Sequence, residues 1–212
     1  MPPGPIDELA GRARGLIRVD RRSIIGIVGP PGAGKSTLAE AVVEQLRRDG
    51  IGVAHVPMDG FHLADSALRE RGLLDRKGAP ETFDVHGYLA LLARLHADLA
   101  REILAPSFDR ALEQPLAGAI TVRPTDRLVV TEGNYLLDSD GAWPVVQAAL
   151  DETWFVELDE PTRVTRLVRR HVQFGKTESQ ARAWVERVDE PNARRVEARR
   201  GAADLVVDGG RT

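Results

Sequence analysis

The chain contains no cysteine, so neither disulfides nor thiolate-held metals can support its fold, and no thiol is available as a nucleophile. It also has no uninterrupted apolar stretch approaching the length of a membrane span, and no apolar run near the N-terminus long enough for a secretory leader. A large excess of one charge is missing too. The formal net charge of -3 argues against a dedicated nucleic-acid binder. From these absences the expectation is a cytoplasmic protein that takes neither nucleic acid nor membrane as a partner. The charge is unevenly spread, however. From Arg163 to Arg200 there are eleven Arg or Lys against five Asp or Glu, so that stretch invites an anionic ligand.

What is present is ample for one α/β domain. At 212 residues, the expectation is a single domain over 1–212, with an N-terminal extension and helix over 1–20. Met1 to Pro5 reads as a flexible lead-in, and Ile6, Leu9, Ala10, Ala13, Leu16 and Ile17 recur at helical spacing. Ser23 to Val28 is a nearly continuous apolar run ending in a Gly/Pro cluster, as in a parallel strand covered on both faces. A helix over Lys35 to Arg48 and a strand over Gly52 to Val56 follow. A further helix is predicted through Tyr88, Leu89, Leu92, Leu95, Leu99 and Ile103. Pro106 to Pro124 suggests a small hairpin. Buried strands are expected at Leu128 to Val130 and Trp154 to Leu158, joined by a helix over Trp143 to Leu150. Helices at Thr162 to Phe174 and Ser179 to Val188 precede a short strand at Asp204 to Val207. Alternating βαβ elements imply a mainly parallel sheet wrapped by helices, with an insertion over 60–125 and a helical, Arg-rich lid over 160–190.

Gly29-Pro30-Pro31-Gly32-Ala33-Gly34-Lys35-Ser36 satisfies the phosphate-loop pattern G-x-x-x-x-G-K-[ST] between a strand and a helix, the context its mechanism requires. Backbone N–H groups of Gly29, Gly32, Ala33 and Gly34 are expected to turn toward phosphate oxygens, reinforced by the positive helix end and the Lys35 ammonium. Ser36 is expected to hold Mg²⁺ through its hydroxyl, with Thr37 on the phosphates. A chance Gly-rich turn is the competing reading, and the flanking strand and helix weigh against it.

Asp59 follows the second strand beside this loop, where a carboxylate can take a proton from an acceptor hydroxyl; an Asp-Gly turn is the plainer alternative. Glu132 ends another buried strand, the position from which a carboxylate reaches Mg²⁺ through water. Arg163, Arg166 and Arg170 share one helix face at i, i+3 and i+7, with Arg169 beside them. A solvated basic face is the usual meaning of such a pattern. A mobile lid closing Arg166 and Arg170 on the transferring phosphoryl group is the functional one.

With Met58-Asp59-Gly60-Phe61-His62, Pro80-Glu81-Thr82-Phe83-Asp84, Pro106-Ser107-Phe108-Asp109-Arg110 and Glu132-Gly133-Asn134-Tyr135 in this order, the chain resembles P-loop kinases of the uridine kinase, pantothenate kinase and phosphoribulokinase group. It looks most like the nucleoside/nucleotide kinase and fructokinase-like branch, whose members carry a segment like Glu190-Pro191-Asn192-Ala193. The resemblance implies ATP and Mg²⁺ as cofactors and a small-molecule hydroxyl acceptor. It implies Asp59 as base with Lys35, Arg166 and Arg170, and Phe61, His62, Phe83, Asp84, Phe108 and Tyr135 around the acceptor. Family members often associate, so a homodimer using the N-terminal helix is an open expectation. Asp-Gly-Phe where uridine kinases have Ser after the Asp, and Phe108 where they usually have Tyr, speak against uridine. A P-loop hydrolase or switch acting on a protein partner is the alternative class, and the Asn-Lys-x-Asp run of guanine-reading GTPases is absent.

Overall fold

The computed structural model describes residues 4–210, so the first three residues of the expected lead-in lie outside the described residues. The described chain opens on helix α1 (Pro5–Gly15) and strand β1 (Ser23–Val28), then helix α2 (Lys35–Arg48) and strand β2 (Val53–His55). Helices α3 (Asp65–Glu70) and α4 (Val85–Ala97) lead to strands β3 (Ile103–Asp109) and β4 (Gln114–Val122). After strand β5 (Leu128–Gly133) come helix α5 (Trp143–Ala148), strand β6 (Glu152–Glu157) and helices α6 (Glu160–Gln173), α7 (Glu178–Trp184) and α8 (Glu190–Glu197). Strand β7 (Leu205–Asp208) completes the order.

Five strands form a parallel sheet ordered β2-β5-β1-β6-β7, the α/β arrangement expected from the βαβ alternation. Although β1 is buried throughout, its pleat sends Ile24 and Val28 into one core and Ile25 and Ile27 into the other. Phe155 of β6 joins the first core, and Trp154 and Val156 join the second. The first core packs against α4, α5 and the hairpin, the second against α1 and α2. Burial of both faces explains why these strands read as continuous hydrophobic runs. The hairpin expected over Pro106 to Pro124 is present as β3 and β4, with a register shift between Ala105 and Ser107.

The helix predicted through Leu99 and Ile103 stops instead at Ala97, and Ile103 begins β3. The cause is a buried cation. Arg22 is fully buried, and its guanidinium donates to the carbonyl oxygens of Leu95, Asp98, Arg123 and Asp126. These contacts hold the last turn of α4 against Arg22, and the Asp98 carboxylate accepts from the N–H groups of Ala100 and Arg101, giving them a partner other than the helix ladder. Among the described residues no helix is long and apolar enough to cross a membrane.

His55, in β2, has a buried Nε2 without a partner among the described residues, and burial pushes its imidazole down to about 4. A His whose folded pKa lies below its unfolded value near 6.5 binds more protons when unfolded, so its contribution is complete above 6.5 and is lost as pH falls toward 4. Between pH 7 and pH 5 this residue is expected to remove about 2 kcal/mol of folding stability. Urea denaturation at both pH values should show that loss in the wild type and a loss smaller by that amount in His55→Leu; equal losses would assign the acid sensitivity elsewhere.

Candidate active site

Three parallel strands deliver the chemistry to one edge of the sheet. The phosphate loop leaves β1, Asp59 follows β2, and Glu132 is the penultimate residue of β5, all at carboxyl ends where α/β sheets bind ligands. Gly29 lies so close to β6 that a Cβ there would come within 2.7 Å of the Val156 carbonyl oxygen. Gly32 adopts φ +82°, and a Cβ on it would sit 2.9 Å from the Arg163 carbonyl oxygen. The loop therefore runs hard against both β6 and α6. Ala33 buries its methyl group in the core, and its N–H is already given to Pro30. That leaves it poorly placed for the phosphate contact expected of it.

Lys35 opens α2 with its ammonium donating to the Pro30 carbonyl oxygen at 3.2 Å. Burial pushes this ammonium down to about 8, against the opposing pull of Glu132 and Asp59. Ser36 Oγ donates to Glu132 Oε1 at 3.0 Å. Glu132 is itself raised to about 6, first by burial and then by the Asp59 carboxylate. Lys35 and Glu132 are both buried beside the partly exposed Asp59 carboxylate, and their two shifts record charge that water does not fully solvate.

Asp59 sits in a single 3-10 turn, Met58–Phe61, created where Pro57 stops β2. Arg110 Nη2 lies 3.5 Å from Asp59 Oδ2, reaching in from the end of β3. Lys35, Ser36, Asp59 and Glu132 line one cleft of about 300 Å³ together with His62, Phe83, Phe108 and Asn134. A second cavity of about 390 Å³ adjoins it across the phosphate loop, walled by Gly32, Gly34, Thr37, Arg166 and Leu167. Arg110 and Arg170 border both. One site holds the phosphate-binding elements, and its neighbour has aromatic walls around Asp59.

The arginines of α6 divide. Arg163 is 1% exposed and lies under the phosphate loop, with Nη2 2.8 Å from Glu190 Oε1 and Nη1 donating to Pro31 at 3.4 Å. The Glu190 contact is close but poorly aligned for a hydrogen bond, since Oε1 finds no hydrogen-bond donor. Charge attraction in a closed space accounts for it. Arg166 borders the phosphate-side cavity, and Arg169 is exposed. Arg170 is half-buried, and its guanidinium is held below the ordinary value, first by burial and then by Arg110. Two cations crowded at a junction favour an anion between them.

Of the expected acceptor residues, His62, Phe83 and Phe108 stand in the cleft wall, and three others are placed elsewhere. Phe61 packs on Tyr88 of the core with ring centroids 5.0 Å apart. Asp84 caps α4 by accepting the Gly87 N–H at 2.9 Å. Tyr135 is fully buried beside Phe83 and Trp143, and its hydroxyl donates to the Gly78 carbonyl oxygen. Sequence reasoning missed Arg110, although it quoted the run that contains it, and missed the far wall of Phe174, Lys176, Trp184 and Asn192. A π-turn at Val185–Asp189 brings the Asp189 carboxylate to His171 Nε2 at 2.8 Å and so fixes that wall against α6.

The family model for the methylmalonyl Co-A mutase-associated GTPase MeaB matches residues 13–63, the stretch from α1 to the Asp59 turn. A Schizosaccharomyces pombe protein provisionally named uridine kinase C227.14 is 33% identical over 213 residues, covering 95% of this chain and 89% of that protein. The pantothenate kinase of Paenarthrobacter aurescens strain TC1 is 29% identical, over 87% of this chain and 66% of its own. Among solved structures, one from Silicibacter sp. TM1040, provisionally described as a fructose transport system kinase, superposes with a TM-score of 0.85 at 38% identity. It covers 94% of this chain and 98% of its own. The MeaB match spans under half of the chain and reports the shared phosphate loop; the other three extend well beyond it.

Proposed function

Because this chain belongs to the P-loop small-molecule kinases of the uridine kinase, pantothenate kinase and phosphoribulokinase group, we propose that it transfers the γ-phosphoryl group of ATP to a hydroxyl of a small metabolite. The observation carrying this reading is the convergence of Lys35, Ser36, Asp59 and Glu132 on one cleft adjoining the phosphate loop. In the reaction the acceptor oxygen forms a bond to the γ-phosphorus, the bond to the β,γ-bridging oxygen breaks, and ADP leaves. The acceptor proton passes to Asp59, whose carboxylate is carried on the 3-10 turn that follows β2. Lys35 and the phosphate-loop amides hold the β and γ oxygens, and Arg166 and Arg170 meet the charge of the transferring group.

A divalent cation fits the residues present. Ser36 and Glu132 offer hard oxygen donors already in contact, and the buried Glu132 carboxyl, raised by desolvation, gains from a nearby positive charge. Mg²⁺ would be held by Ser36 directly and by Glu132 through water. When bound it supplies charge that offsets the phosphate oxygens. No trio of His, Cys, Asp or Glu suited to holding a metal by itself occurs among the described residues, in keeping with an ion that arrives with nucleotide.

The test is ADP release with Mg²⁺ and ATP against a panel of nucleosides, pantothenate, fructose, other sugars, glycerate and small polyols. Slow basal turnover is expected to rise at least tenfold with one acceptor class and to vanish in Lys35→Ala. Turnover indifferent to every acceptor would instead favour a P-loop hydrolase acting with a protein partner.

A further inference from the structure

The geometry points to His62 as the residue that selects the acceptor, its Nε2 accepting a hydrogen bond from a second, non-reacting hydroxyl, so that the acceptor is a diol or polyol and not a simple alcohol. This inference deepens the kinase reading and rests on it. The turn that carries Asp59 also places His62. In a 3-10 turn, side chains at i and i+3 eclipse, and His62 stands three residues after Asp59 as the cap of the Met58–Phe61 turn. Both residues line the same cleft.

Hydrogen bonding then fixes the chemistry of the ring. His62 Nδ1 lies 2.9 Å from the Asp59 carbonyl oxygen, and the His62 backbone N–H donates to that same oxygen at 3.1 Å. A carbonyl oxygen can only accept, so Nδ1 carries a proton. Burial holds the imidazole below its ordinary value, and Lys77 and Arg110 act in the same direction while Asp59 opposes them. A neutral ring protonated at Nδ1 presents Nε2 as a bare lone pair. That nitrogen has no protein partner among the described residues and is not sealed from the cleft.

The ring cannot easily turn away. It is wedged between Phe83, at a centroid distance of 4.0 Å and tilted by 45°, and Phe108, at 4.8 Å and tilted by 46°, and the backbones of His62 and Phe83 form a β-bridge. The cleft therefore offers two fixed acceptors on one turn, the Asp59 carboxylate for the reacting hydroxyl and His62 Nε2 for a neighbour. A ligand with one hydroxyl satisfies only the first. A ligand with two near each other satisfies both, and one lacking the second leaves Nε2 desolvated and unpaired.

The test has an arm that needs no turnover. In ¹⁵N-histidine-labelled wild type with MgADP, the His62 signals, assigned by their loss in His62→Gln, are expected to report a proton on Nδ1 at pH 7. Titration with glycerol, sorbitol and fructose is expected to shift the Nε2 resonance with at least one of them. A proton on Nε2, or an Nε2 resonance unmoved by every polyol, overturns the inference whatever the enzyme's activity. In the kinetic arm, removing one non-reacting hydroxyl from the active acceptor is expected to lower kcat/KM by roughly ten- to a hundredfold in the wild type. In His62→Phe the same removal should change it by less than about threefold. Equal discrimination in both enzymes also overturns it, since a ring that merely braced Asp59 would slow all acceptors alike. Failure of the kinase reading is seen separately, as ADP release that no acceptor stimulates.

Discussion

Asp59→Asn is expected to lower kcat by roughly 10²–10⁴ while leaving nucleotide affinity within about twofold. The substitution keeps the size of the side chain and its place on the Met58–Phe61 turn, and it removes the negative charge together with the ability to take the acceptor proton. Nucleotide affinity should survive because the phosphate-side cavity is walled by the loop, Thr37, Arg166 and Arg170 and does not include Asp59. Affinity has a reason to rise slightly, since Asp59 repels the γ-phosphate. Loss of that charge also relaxes the corner it shares with Glu132, where the Asp59 carboxylate helps to hold the Glu132 carboxyl above its ordinary value. The measurement is a pair: kcat with the active acceptor, and nucleotide Kd by fluorescence or calorimetry. Near-normal kcat would remove Asp59 from proton transfer. A parallel collapse of nucleotide binding would mark it as part of the phosphate site.

The position of Asp59 was legible because its cues are local: a strand ended by Pro57, a carboxylate, and a phosphate loop a fixed distance upstream. The same holds for Lys35, Ser36 and Glu132, whose positions at strand ends follow from the hydrophobic runs before them. Aromatic residues were not legible in this way. Phe108 faces the cleft and Phe83 lies between cleft and core, while Phe61 packs against the core and Tyr135 lies within it. That choice is made by α4 and α5 packing from elsewhere in the chain, through Tyr88 and Trp143. Helix ends set by distant partners were hidden for the same reason. Nothing near Leu99 announces that Arg22, more than seventy residues earlier, takes the carbonyls of Leu95 and Asp98.

Helix α6 shows how far a periodic pattern reaches, and it carries the other large expectation. At 3.6 residues per turn Arg163 and Arg170 fall nearly in line, so the sequence grouped them. Yet α6 starts beneath the phosphate loop and rises past it, which buries the first and brings the second to the mouth of both cavities. Arg170→Ala is accordingly expected to lower kcat by about 10³ with only a few-fold change in nucleotide Kd, because the guanidinium meets charge that is greatest in the transition state. Arg169→Ala, one residue away on the exposed side, should stay within about twofold and serves as the control for helix integrity. Arg170→Lys should recover only part of the loss, since a point charge does not reproduce a planar fork of donors. Relief of the crowding between Arg170 and Arg110 predicts a further sign. The empty Arg170→Ala enzyme should be no less stable than the wild type, and stabilisation by bound nucleotide should shrink. A variant that lost folding stability and activity together would instead make Arg170 a structural partner of Asp189, the carboxylate that offsets its charge.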